Sequence, residues 1–286
     1  MNDRRLKAIF FDLDDTLIET SGADSLAFRE VKQLLIHELD LARSTADLVI
    51  SDLRISLSAR PWDPAGEEHV WSWRRKLWQR VLERHCFQVV SNSDTSEARI
   101  QSGPTPELLA WKVTATFRDV RLRNLTISAQ TQDALEQLKR RGILLAVITN
   151  GHTVVQREKL AACGAYSMFE THHIFVGGEE ELAGRMQKPS CSIFERACMV
   201  LGVERGQVLH VGDSWDSDIL GATGARLGWS VWLTPETETE TETVRNCTNC
   251  VPSATFISID VFLACVIREL DVSTRSACSF HPPITL

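Results

Sequence analysis

Asp12 and Asp14 follow the apolar run Ile9-Phe10-Phe11, and Thr149-Asn150-Gly151 follows the run from Ile143 to Ile148. Gly212-Asp213, with Asp216 and Asp218 close behind, follows Val208 to Val211, and Lys188-Pro189 lies between the last two groups. Taken singly, Asp, Thr, Asn and Gly in such places make turns and helix caps. Taken together in this order, they describe a reaction site. Asp12, Asp14 and Asp213 offer oxygen ligands to a hard divalent ion, most simply Mg²⁺. Carboxylates that close need a cation, or one of them must hold a proton. A carboxylate beside a metal can attack phosphorus and form an aspartyl-phosphate. A second carboxyl group then protonates the leaving alkoxide and later activates water. The Thr149 hydroxyl, neighbouring backbone amides and the Lys188 ammonium can hold phosphoryl oxygens as charge develops. Gly151 lets the backbone approach closely.

Such residues work only if strands deliver them to one place. Lys7 to Phe11 reads as a buried strand, and so do 143–148, 174–176, 208–211 and 229–233. Helices are predicted between them, at 131–141 ending at Gly142, 153–163 ending at Gly164, 192–201 ending at Gly202, and 216–227. One more strand at 255–259 and a helix at 261–270 follow. This alternation predicts an α/β fold, a doubly wound, Rossmann-like parallel sheet with its ligand site at the carboxyl ends of the strands. The stretch after the first strand has a different texture. Helical spacing runs from Ala23 to about Leu57, breaks at Arg60 to Gly66, resumes at 67–84 and returns at 108–117 after a polar loop at 88–106. We therefore expect a core from 1–20 and 128–272, and an inserted α-helical cap, 21–127, above the strand ends. A polar, frayed tail is expected over 273–286.

Composition narrows the class. Of 286 residues, 43% are hydrophobic and 24% charged, enough to build a sizeable core. The net charge of −7 gives no basic footprint for nucleic acid. The acidic runs Glu179-Glu180-Glu181 and Glu236 to Glu242 read as solvated loops. The eight cysteines come without a secretory leader, so free thiols and a cytoplasmic location are expected. Cys163, Cys191 and Cys198 read as small core residues. Cys247 and Cys250 lack a second pair at zinc spacing. The apolar runs fall far short of the roughly 20 residues of a membrane span.

The four motifs resemble those of the haloacid dehalogenase superfamily of phosphohydrolases. They stand here as Asp12-Leu-Asp-Asp-Thr16, Thr149, Lys188, and Gly212-Asp213 with Asp218. The resemblance implies that Asp12 is the nucleophile and Asp14 the general acid and base. It implies Mg²⁺ held by Asp12, Asp213 and the backbone carbonyl of Asp14, with Asp218 as a supporting carboxylate. The amides of Leu13, Asn150 and Gly151 would join Thr149 and Lys188 around the phosphate. Asp14 speaks against dehalogenation, because the family's dehalogenases lack that carboxylate and use no metal.

Further similar stretches include Gln156-Arg-Glu-Lys159 and Val176-Gly-Gly-Glu179. They resemble members that act on a sialic acid phosphate. The expected partner is thus a small-molecule phosphate ester, with N-acylneuraminate 9-phosphate in the lead. A phosphoglycolate-like ester is the second reading, and a catalytically degenerate binding module the third. If the substrate is a sialic acid phosphate, the cap must meet a carboxylate; Arg74, Arg75, Lys112, Arg118, Arg121 and Arg123 are the candidates. Trp71, Trp73 and Trp78 cannot share one helical face, so one of them can face a cleft. The departures from the family pattern are segments at 88–106, 118–123 and 182–186, and Arg226, which stands where the family prefers Gly.

Overall fold

The computed structural model of the chain describes residues 5–59, 68–87, 104–234 and 252–273. The break at 60–66, nearly all of the 88–106 loop, the acidic run Glu236 to Glu242, Cys247, Cys250 and the tail beyond Ser273 lie outside the described residues.

Short runs of apolar, strand-forming residues become six strands of one parallel sheet. They are β1 (Ala8–Phe11), β2 (Leu144–Thr149), β3 (Ile174–Val176), β4 (Val208–Gly212), β5 (Trp229–Leu233) and β6 (Ala254–Phe256). Their order is β3-β2-β1-β4-β5-β6, with every neighbouring pair parallel. All residues of β1, β3, β4 and β5 are buried, which fits strands covered on both faces. From β1 the chain builds outward to β2 and β3 on one side, then to β4, β5 and β6 on the other. That reversal opens a crevice at the carboxyl ends of β1 and β4, the usual ligand position in such sheets.

The predicted α/β doubly wound sheet is therefore observed. Around it lie α5 (Ala129–Arg140), α6 (Thr153–Ala162), α7 (Ala165–Met168), α8 (Gly177–Leu182), α9 (Cys191–Leu201), α10 (Leu220–Gly224) and α11 (Ile259–Ser273). Side-chain caps start several of them. The Ser128 hydroxyl accepts the Thr131 amide at 3.0 Å, and Ser190 caps α9. Gly202 closes α9 with φ 66°, a backbone conformation that side chains disfavour. On one sheet face Phe10, Ala146, Ile148, Phe175 and Val208 pack against Ile193, Phe194, Ala197 and Leu201 of α9.

Residues Ser21–Asn124 form a separate compact unit. It consists of α1, which begins at its edge (Thr20–Leu39), α2 (Arg43–Ala59), α3 (Val70–Cys86) and α4 (Pro106–Arg123). The helical spacing from Ala23 to Leu57 is divided by Asp40, which has φ 50°. Asp is one of the few side chains that tolerates this left-handed conformation. Thr105 caps α4, Pro106 occupies its first turn, and the helix runs past the predicted end to Arg123. Val31, Leu35, Val49, Leu53, Leu77, Val81, Leu82, Leu109 and Val113 make its core.

Three sequence expectations are corrected. Glu179 to Glu181 are not a solvated loop: they lie in α8, and Glu180 is fully buried. A buried carboxylate needs partners, and Glu180 is ion-paired with Arg185 at 2.5 Å and with Arg196. Glu179 takes both oxygens to Arg157, at 2.7 and 2.8 Å. Glu180→Ala removes the shared anion of two arginines and is expected to lower the thermal midpoint by about 5 °C; a melting curve checks this. Cys191 is exposed at the start of α9, whereas Cys163 and Cys198 are buried as read. The helix expected at 216–227 is a π-helical turn, Trp215–Ile219, followed by the short α10. Just beyond α10, Arg226 has φ 55°, which accounts for Gly being the easier residue there. Arg226→Gly relieves the left-handed strain but adds unfolded-chain entropy, so a net gain of about 0.5–1 kcal/mol is expected in denaturant titration.

Candidate active site

The ends of β1, β2 and β4 bring Asp12, Thr149 and Asp213 to one end of the sheet. Asp12 leaves β1 with its amide donating to the Val211 carbonyl at 2.9 Å, so the main chain of β4 fixes the start of the acidic loop. One carboxylate oxygen from each of Asp12, Asp213 and Asp218 falls within a 4.8 Å group. Asp12 and Asp218 are buried, and Asp213 is half-buried. Asp218 comes from the π-helical turn, and Gly212 is what admits it. A Cβ at Gly212 would stand 2.2 Å from the Asp218 carboxyl carbon.

Lys188 supplies the balancing charge. Its buried ammonium donates to Asp12 Oδ1 at 2.5 Å and to Asp218 Oδ1 at 2.6 Å. The Asn150 side chain holds the Lys188 backbone from both sides, accepting its amide at 2.9 Å and donating to its carbonyl at 2.8 Å. The loop after β2 thus places the lysine. One ammonium faces three carboxylates, and the imbalance shows in their acidities. Burial, with repulsion from Asp218 and Asp14, raises the Asp12 pKa well above the ordinary value, against the pull of Lys188. Burial and the nearby Asp218 and Asp15 push Asp213 up to about 6. Burial opposes charge on Asp218 too, but Lys188 and His210 hold it below the usual range. Such an excess of buried oxygen anions suits a hard divalent cation.

Asp14 lies apart from that group. Burial works against its charge, yet Lys159, Thr20 and Gln156 together hold its carboxyl below the usual range. Lys159 donates to both oxygens at 2.7 and 2.8 Å, Thr20 at 2.5 Å and Gln156 at 2.9 Å. Gln156 also donates to Thr149 Oγ1 at 2.6 Å. The Gly151 amide, a candidate phosphate donor, donates here to Gln187 Oε1 at 3.0 Å. Gly151 itself has φ 112°, a conformation that requires glycine.

Residue reading alone assigned no role to Lys159, Gln156, Thr20 or His210. Lys159 and Gln156 are three apart on α6, both buried on one face, and that is the signal a sequence offers. His210 points from β4 to Asp218, 2.9 Å away, and is fully buried. The His152 ring accepts the Val154 amide at 3.1 Å and caps α6. Trp215 packs edge-on against Trp232, whose indole N–H donates to the Asp213 carbonyl at 2.8 Å.

In the helical unit the six cationic candidates separate. Arg74 and Arg121 line a cavity of about 360 Å³. Arg118 lies over the ring of Trp71, itself part of that lining, and Arg75 over the ring of Trp111, which is not. Lys112 is ion-paired with Glu38, and Arg123 with Asp119. Of the tryptophans, Trp71 and Trp78 line the cavity, while Trp73 packs on the apolar core.

A family model described as haloacid dehalogenase-like hydrolase matches residues 6–226. The human N-acylneuraminate-9-phosphatase is 30% identical over 229 residues, covering 80% of this chain and 83% of the relative. A glyceraldehyde 3-phosphate phosphatase from Methanothermobacter thermautotrophicus is 31% identical over 238 residues, covering 83% and 89%. Among solved structures, the 2-haloacid dehalogenase from Pseudomonas syringae pv. Tomato DC3000 superposes with a TM-score of 0.58. It is 22% identical and covers 94% of this chain and 99% of that one, a likeness of fold.

Proposed function

The chain belongs to the haloacid dehalogenase-like hydrolases, and from that premise we propose that it is a phosphoric monoester hydrolase that works through an aspartyl-phosphate. The observation that carries this reading is the pair of carboxyl groups leaving β1. Asp12 lies against Lys188, and Asp14 is held separately by Lys159, Thr20 and Gln156. Displacement at phosphorus needs both a nucleophile and a group that handles the alkoxide's proton. A nucleophilic carboxylate alone would serve dehalogenation.

Asp12 is the nucleophile in this reading. Its carboxylate attacks phosphorus and the P–O bond to the leaving group breaks; Asp14, ionised here by its bonds from Lys159, Thr20 and Gln156, must take up a proton and release part of that hold before it can pass the proton to the departing oxygen. Asp14 then takes a proton from water as that water attacks the acyl phosphate, which restores Asp12 and releases phosphate. Lys188, Thr149 and the amides of Leu13, Asn150 and Gly151 hold the phosphoryl oxygens. The donor set fits Mg²⁺: Asp12, Asp213 and the Asp14 backbone carbonyl would hold it, with Asp218 behind them tied to Lys188 and His210. The ion would supply charge neutralisation at the phosphoryl group.

The relatives' names support a small sugar-type phosphate as substrate, and N-acylneuraminate 9-phosphate leads. Glyceraldehyde 3-phosphate and phosphoserine, named in other relatives, and phosphoglycolate are its competitors. We place the activity in the cytosol, a reading supported by free thiols at Cys86, Cys163, Cys191, Cys198 and Cys265. The test is a panel of these esters with Mg²⁺ and with a chelator. Hydrolysis that disappears on chelation is expected, with kcat/KM for the N-acylneuraminate ester about tenfold or more above the others. Folded protein that hydrolyses no ester would overturn the reading in favour of a binding module.

A further inference from the structure

Asp213 stands one residue past the end of its ladder. The last residue pair between β4 and β5 is Gly212 with Trp232, so strand pairing holds Gly212 and stops there. The Asp213 carboxylate nevertheless falls in the 4.8 Å group with those of Asp12 and Asp218. A side chain aims where its main chain points it, and a main chain that leaves a ladder needs another hydrogen-bond partner to stay in place.

Trp232 is that partner. Its indole N–H donates to the Asp213 carbonyl at 2.8 Å. The ring is itself fixed, because Trp215 meets it edge-on with centroids 5.1 Å apart, and Ile219 and Leu220 join the same apolar cluster. Both indoles are buried. Trp215 and Ile219 are also the two ends of the π-helical turn that carries Asp218. Within that turn the Asp218 amide donates to the Ser214 carbonyl at 2.9 Å, and Asp218 Oδ2 accepts the Ser214 amide at 3.1 Å. One apolar cluster thus borders both sources of carboxylate that follow β4. Any large ring would fill such a cluster. An indole alone adds a donor at its far edge, and here that donor goes to the main chain of a proposed metal ligand.

We propose that Trp232 is a positioning residue for the metal site, its indole N–H holding the Asp213 main chain so that the carboxylate faces a divalent cation together with Asp12. The inference rests on the Mg²⁺ reading of these carboxylates. Hydrogen bonds behind the ligands of a metal set how well those ligands converge, and their loss weakens the metal without removing any ligand.

The experiment uses the full chain. Mg²⁺ is titrated calorimetrically into the wild type, Trp232→Phe and Trp229→Phe, with melting curves as the control for folding. Trp229 lies on the same strand at the other end of the ladder. The wild type and Trp229→Phe are expected to bind Mg²⁺ alike, and Trp232→Phe about tenfold or more weakly. If Trp232→Phe does not fold, benzothienylalanine at position 232 repeats the test, since it keeps the bicyclic shape and lacks only the N–H. Hydrolysis of p-nitrophenyl phosphate over a Mg²⁺ series gives a second readout. The Mg²⁺ concentration for half-maximal rate should rise by the same factor, while kcat at saturating Mg²⁺ and KM for the ester stay near the wild-type values. Wild-type Mg²⁺ affinity in folded protein without the indole N–H overturns the proposal. So does an equal loss in Trp229→Phe, which would mark a general loosening of β5. A wild type that binds no Mg²⁺ overturns the proposal together with the metal reading. Weakened Mg²⁺ binding in the variant, with no ester hydrolysed even by the wild type, leaves the proposal standing and removes the phosphatase reading. Hydrolysis with Mg²⁺ affinity unchanged in the variant does the reverse.

Discussion

Asp12→Asn is expected to lower phosphatase turnover by about 10⁴-fold or more, because an amide oxygen does not form the acyl phosphate. The fold should survive. Asparagine keeps the side-chain volume, its oxygen can still accept from Lys188, and the variant removes repulsion from Asp218 and Asp14. Its melting temperature should therefore stay within a few degrees of the wild type. Single-turnover kinetics check the chemistry, since no covalent phosphoprotein should accumulate after acid quench. Retention of most activity in the purified variant would remove Asp12 from the nucleophile's role.

Lys188→Met should fail differently, losing stability and catalysis together. The ammonium is almost completely buried between Asp12 and Asp218, and burial is outweighed there by the two carboxylates, which hold the lysine charged above its ordinary pKa. A methionine of similar length fills the space and leaves two buried carboxylates facing each other. Removing one partner from a buried ion pair costs about 3–5 kcal/mol. Activity should fall about 10³-fold, the scale for losing a charged donor to the transferring group. Denaturant titration and kcat on one preparation check both. A variant as stable as wild type would mean that the carboxylates are held by something other than this lysine.

The parts of this arrangement that were legible in the sequence lie where a buried apolar run stops at a polar residue. Phe11 to Asp12, Ile148 to Thr149 and Val211 to Gly212-Asp213 are each a strand ending at the crevice, and each can be read locally. The sheet follows from the same runs, because strands separated by helices pair in parallel. What was not legible depends on distant pairings. Lys159 and Asp14 are 145 positions apart, and nothing near either residue says that they meet. A lysine on a helix ordinarily reads as solvent-facing, and only the topology turns this one inward. Glu180 misleads for the same reason: three glutamates in a row look hydrated until Arg185 and Arg196 converge on the middle one. Asp40 shows a third limit, since a change of backbone conformation at one residue divides a helix without disturbing its hydrophobic spacing.

The two hydrogens of the Gln156 amide go to different masters, one to Asp14 Oδ2 and one to Thr149 Oγ1. Because the Thr149 oxygen accepts there, its own hydrogen must point elsewhere, and its nearest listener is the Asn150 carbonyl at a long 3.4 Å. A hydroxyl is normally ambivalent, able to give or to receive. This one has been given a polarity. In the proposed mechanism, where Thr149 holds a phosphoryl oxygen, that hydrogen is the one it would offer. The same glutamine clasps Asp14, so a shift of α6 would disturb the proposed phosphate donor and the proposed proton carrier in one movement.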